Sequence, residues 1–211
     1  MCWNAEISLN TFVFSIFVLG LVYYNNTYTK YKIPLFENKW FYIFLLSAFS
    51  MQLIEFFIWK NINNDYYNKF FTICAFILIF CQPAASLMLL SNHFLRNILL
   101  SAYLIFGIPY VYYMISTKTI NSTVSRSGNL IWNIKNNKLI FLLWLFLLLF
   151  SFGYEQKWEY VILAIISFSI FIYKEKSTSG SLWCWFINSF SIYLAAYLLF
   201  YLPYCDNKTV C

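Results

Sequence analysis

Long apolar runs separated by short polar clusters make up most of the chain, and their lengths set the fold class. A helix needs about 17 to 25 predominantly apolar residues to cross a bilayer. Seven runs approach that length, at about 7–24, 40–60, 69–90, 97–116, 138–154, 158–173 and 181–203. They predict an all-α integral membrane bundle of seven transmembrane helices, forming a single domain over residues 1–211. The fifth and sixth runs are parted only by GYEQKW, whose Glu155, Gln156 and Lys157 mark an aqueous turn between two helices. No basic stretch precedes the first run and no small-residue cleavage site follows it, so it reads as a retained helix and not a signal peptide. The longest connection, TKTINSTVSRSGNLIWNIKNNK, is polar, with Leu130, Ile131, Trp132 and Ile134 placed to lie in the membrane interface. No internal repeat is visible.

Composition agrees with the pattern. Of 211 residues 62% are hydrophobic and only 10% charged, against about 25% charged in soluble domains. The net charge of +6 comes from Lys and Arg scattered through short loops, which suits lipid headgroups and not nucleic acid. Lys30, Lys32 and Lys39 follow the first run, which alone would put the N-terminus outside the cytosol. Yet Lys60, Lys69, Lys118, Arg126, Lys135, Lys138, Lys174 and Lys176 share the N-terminal side, against Arg96, Lys157, Lys208 and those three lysines opposite. The balance leaves orientation open. Glycosylation sequons at Asn25, Asn121 and Asn207 fall on both sides and do not break the tie.

Polar residues inside the runs carry the candidate chemistry. Ala48, Gln52, Glu55 and Trp59 recur at helical spacing on the second run and form one stripe. A charged side chain at the bilayer centre costs about 2.5 to 3.5 kcal/mol on insertion scales. Glu55 is shallower, so its cost is smaller but still selects for a partner or for the neutral form. On the seventh run Ser181, Cys184, Asn188, Ser191 and Ala195 make a stripe of small and polar residues, which lets membrane helices approach closely. Odd and even runs cross in opposite directions, so Glu55, Gln52, Cys184 and Asn188 share a depth on the N-terminal side, with Cys2 and Glu6 above them. Trp3, Trp59, Trp132, Trp183 and Trp185 map to that boundary and Trp40 to the other, as interfacial belts do.

In the third run Pro83 removes a helical hydrogen bond and frees the carbonyl of Ile79, which Gln82 either satisfies or turns away from. Gly107 and Pro109 mark a second bend, in the fourth run. Other chemistry is sparse. The six cysteines, at positions 2, 74, 81, 184, 205 and 211, show no zinc spacing. Cys74 and Cys81 read as packing residues, Cys205 and Cys211 as a pair in an oxidising compartment, and Cys2 as an acylation candidate. One histidine, His93 in SNHFLR, cannot build a multi-histidine metal site, so no metal or other cofactor is expected. The seventh run has no lysine for a retinal Schiff base, and no arginine ladder, potassium filter, P-loop or HExxH is present.

MCWNAEIS at the N-terminus, MQLIEFF, CQP, WNI after SGNL, and SGSLWCWFIN occur in order along the chain. Together they resemble an uncharacterised family of small polytopic membrane proteins, beginning MCW, with a helix-two Glu and a helix-three Gln-Pro, found in bacteria and large DNA viruses. The resemblance implies a shared seven-helix fold and a cellular, host or virion membrane, but no activity. The leading expectation is a transporter or channel-like protein with a proton or cation site formed by Glu55, Gln52, Cys184 and Asn188, with Gln82 deeper. The rival is a structural or interaction protein of the membrane in which the same groups only lock helices together. An enzyme ranks third.

Overall fold

The computed structural model describes residues 4–117, 120–126, 128–132, 138–174 and 179–207. Among the described residues eight α-helices follow one another: α1 (Ala5–Tyr28), α2 (Lys39–Lys60), α3 (Asp65–Leu87), α4 (His93–Thr117), α5 (Lys138–Tyr154), α6 (Trp158–Lys174), α7 (Ser179–Ala196) and the short α8 (Leu202–Asn207). A π-helical turn, Tyr197–Tyr201, joins the last two. Among the described residues α1, α2, α3 and α4 are long and apolar enough to cross a membrane, while α5 and the apolar part of α6 are shorter.

Asparagine sets where four of these helices begin. Side-chain oxygens of Asn4, Asn38, Asn64 and Asn92 accept from the N–H groups of Ile7 (2.8 Å), Trp40 (3.0 Å), Tyr67 (3.2 Å) and Leu95 (3.1 Å). Each satisfies one of the donors that a helix start leaves open. The caps extend two helices beyond the apolar runs. Asn64 starts α3 at Asp65, and Asn92 puts His93 in the first turn of α4 instead of in a loop.

Six helices close a ring: α1 packs on α2, α2 on α3, α3 on α5, α5 on α6, α6 on α7, and α7 returns to α1 while also touching α2. The main core joins Val18 and Val22 of α1, Phe41, Leu45, Ala48 and Phe49 of α2, Phe152 of α5 and Leu194 of α7. By contrast α4 leans on α3, and most of its surface is left for lipid, including Phe94, Ile105, Phe106 and Tyr112.

Within this all-α fold the connection between α4 and α5 departs from the surface position its sequence suggests. Ser122–Val124 (β1) and Leu130–Trp132 (β2) form an antiparallel hairpin in the register Ser122 to Trp132, Thr123 to Ile131 and Val124 to Leu130. Instead of lying on the interface the hairpin enters the bundle, with β1 against α3 and β2 against α7. Ile120 and Leu130 are buried, one in a cluster with Phe76 and Met114, the other with Met51, Ile58 and Ala75. Apolar residues spaced two apart in β2 gain more from that core than from a headgroup layer. Trp132 follows them and packs beside Leu130. The side chains of Trp3, Trp183, Trp185, Ile134, Cys2, Cys205 and Cys211 lie outside the described residues.

Candidate functional site

On α2 the row Phe41, Leu45, Ala48, Gln52 and Glu55 is buried along one face. It starts in the apolar core and ends in two polar groups, Gln52 at 1% and Glu55 at 0% exposure. Glu55 stands five residues before the end of α2 at Lys60, roughly 7 Å in. It is the one buried charged side chain among the described residues.

The neighbouring helices are polar at the same depth. On α1 Ser8, Thr11 and Ser15 are buried, spaced three and four apart. The hydroxyls of Ser15 and Ser191 share a hydrogen bond of 2.9 Å, which fixes the register of α1 against α7. One turn nearer the N-terminal side come Thr11 on α1 and half-buried Asn188 on α7. Cys184 is a further turn along α7, and its side chain lies outside the described residues.

A second polar cluster lies across α3. The side-chain amide of Asn68 donates to the Ser122 carbonyl (2.9 Å), and the Ser122 N–H donates to Asn68 Oδ1 (2.8 Å). Asn68 thereby pairs with the outer edge of β1 as another strand would. It also donates to the Ile62 carbonyl (3.1 Å), while the Thr72 and Ser122 hydroxyls meet at 2.8 Å. Non-helical backbone at membrane depth persists only where protein satisfies its polar groups, and Asn68 supplies that partner. The Asn68 and Thr72 spacing of four is visible in the sequence as a helical pair, whereas nothing local marks Ser122 as their partner.

Gln82 belongs elsewhere. It is buried, as a side chain turned inward would be, but it stands near the far end of α3. Since α2 and α3 form a tight hairpin, roughly 18 Å of helix separates its level from that of Glu55. The structure therefore does not gather it with Gln52, Glu55 and Asn188. Nor does Gln82 take the carbonyl freed by Pro83: the Trp144 indole N–H of α5 donates to Ile79 O at 2.9 Å. The adjacent Phe80 carbonyl accepts from the Tyr103 hydroxyl of α4 at 2.7 Å. Both aromatic residues reach the turn before Pro83 because their helices pack on α3.

The layer around Glu55 thus holds one carboxyl with amides and hydroxyls, and no buried basic group among the described residues. Such a set can accept a proton or offer oxygens to a cation; it has nothing with which to neutralise an anion. Among the described residues no three His, Cys, Asp or Glu side chains converge on a point where a metal would sit. An all-helical fold with four helices long and apolar enough to cross a bilayer points to a membrane protein. Comparison with protein-family models, with curated proteins and with solved structures returns no match.

Proposed function

We propose that the chain is a multi-pass protein of seven spans in which Glu55 is the proton- or cation-binding group of a transporter or channel. One observation carries the reading: a carboxyl with no exposed surface sits in a layer where α1, α2 and α7 all turn polar. Intramembrane ionisable groups are rare because they are costly, and they mark ion pathways more often than other positions do. Asn188 and Gln52 belong to that layer; Cys184 joins it by its place on α7, and Gln82 does not. The resemblance to the MCW family fits a cellular or virion membrane.

The test uses liposomes loaded with a pH-sensitive dye. Glu55→Gln should abolish proton-coupled flux seen with the wild-type protein, while its thermal unfolding in detergent changes little. Retained flux in the variant would remove Glu55 from the pathway. A second reading rests on a separate observation, the buried Ser15–Ser191 and Ser86–Ser151 hydrogen bonds that tie α1 to α7 and α3 to α5. If the wild-type protein carries no flux under any imposed gradient, helix locking in a structural or interaction protein is the better account.

A further inference from the structure

We propose that Arg96 is the headgroup site for an anionic phospholipid whose acyl chains lie along α4. The residue stands in the first turn of α4, at the boundary opposite to Glu55. Arg96, Tyr103, Gly107, Tyr110 and Met114 recur at spacings of seven, four, three and four, which is one face of a helix. That face packs on α3: Tyr103 and Gly107 meet Phe80, while Tyr110 and Met114 meet Phe76. Arg96 therefore heads the α3–α4 seam, at the end where the seam opens to the headgroups.

The protein leaves this cation unanswered. Its Nε is enclosed without a hydrogen-bond partner, and among the described residues it forms no ion pair. Glu155, the carboxylate bonded to the turn before α4, is already taken: its Oε1 accepts the Ser91 N–H and the Ser91 hydroxyl, both at 2.7 Å. Unmet donors and unpaired charge are costly away from water, so stabilisation has to reach the guanidinium through its terminal amines. Arg96 is only half-buried, and helical side chains lean toward the helix start, here toward the headgroup layer. A phosphate suits that position in two ways. The planar guanidinium presents paired donors to its oxygens, and the start of α4 adds the positive end of a helix dipole.

The rest of α4 favours a lipid over a free anion. Of the four long helices it is the least covered by protein. Phe94, Ile98 and Ile105, at 77%, 48% and 67% exposure, form an apolar track that runs from the level of Arg96 into the membrane. An occupant with one phosphate and long apolar tails matches both parts, and basic sites beside membrane helices hold anionic lipids by the same pairing.

Native mass spectrometry of the full-length protein in detergent tests the site, with phosphatidylglycerol, phosphatidylcholine of the same chain length and inorganic phosphate as probes. The wild type should bind the first phosphatidylglycerol about tenfold more tightly than phosphatidylcholine, the size of one charge-assisted contact. Arg96→Gln should erase that preference and Arg96→Lys should keep part of it, whereas Lys157→Gln, at the same boundary, should keep it whole. Excess inorganic phosphate should leave the lipid bound; displacement would mean a free-anion site and overturn the proposal. An undiminished preference in Arg96→Gln overturns it as well, and so does a wild-type dimer closed through α4, shown by cross-linking of Ile105→Cys. Should Arg96→Gln fail to fold, Arg96→Met, which keeps the apolar stem, takes its place, and equal affinity of the wild type for the two lipids sinks the proposal outright. None of these measurements involves transport, so lipid binding and the Glu55 flux reading stand or fall separately.

Discussion

Pro83 and Trp144 illustrate what a single position demands of distant ones. A proline inside α3 leaves the Ile79 carbonyl without its helical donor, and the Trp144 indole supplies one. Trp144→Phe keeps the ring and deletes the N–H, so it should cost about 1–2 kcal/mol by stranding a part-buried acceptor. In a Pro83→Ala background the residue 83 N–H returns to Ile79, and the same change should cost much less. Denaturant unfolding of the four proteins in detergent gives the coupling; additive losses would show that the indole bond does not answer to the proline. The freed carbonyl is legible in the sequence, because proline chemistry is local. Its partner is not, since an indole 65 residues away becomes a donor only after α5 packs on α3. The Ser8, Thr11 and Ser15 stripe is as regular as the one on α7, but serine and threonine are so ordinary in membrane helices that spacing alone does not separate seam from lipid face.

Single elements are held apart or together by small clearances. Where α4 crosses α3, a Cβ at Gly107 would fall 2.3 Å from the Phe80 ring, which stacks on Tyr103 at 4.8 Å. Gly107→Val should force ring and helix apart, with a loss of about 1–3 kcal/mol from overpacking. Thermal unfolding would register it, and a pairing of the variant with Phe80→Leu should recover most of the loss. No loss in the first variant would mean that α4 does not rest on α3 at this point. Helices are the legible elements here: an apolar run and an asparagine cap locate them to within a few residues. The hairpin is not, because strands of three residues carry too little pattern to outweigh a loop-like composition, and the burial of Leu130 comes from Met51, Ile58 and Ala75 on two other helices.

At the scale of the whole molecule, the ring of α1, α2, α3, α5, α6 and α7 explains why the two faces of each helix differ, and α4 shows the opposite case. Ile105 and Phe106 are 67% and 77% exposed. Replacing either by Leu should change stability by less than about 0.5 kcal/mol, whereas lysine at the same place should raise the cost of insertion by about 2.5–3.5 kcal/mol. A glycosylation-tag insertion assay would check the pair; lysine tolerated there would mean that α4 faces protein or water. The ring order itself is not legible from one chain, because amphipathic stripes say which face is covered and not by which neighbour. Placing Glu55 and Asn188 at one depth needs only helix direction and length, and Gln82 departs from them because direction carries it to the other boundary.

The outlying position of α4 ties the molecule to its surroundings. Its 25 residues extend about 37 Å, of which the apolar run 97–116 measures about 30 Å and matches a hydrocarbon core, leaving His93 and Arg96 at the boundary. Ile120, just past its end, is gripped between Phe76 and Met114 and leads directly into β1. A bilayer of matching thickness therefore covers α4 where the ring does not, and Ile120 marks where lipid contact gives way to packing against protein.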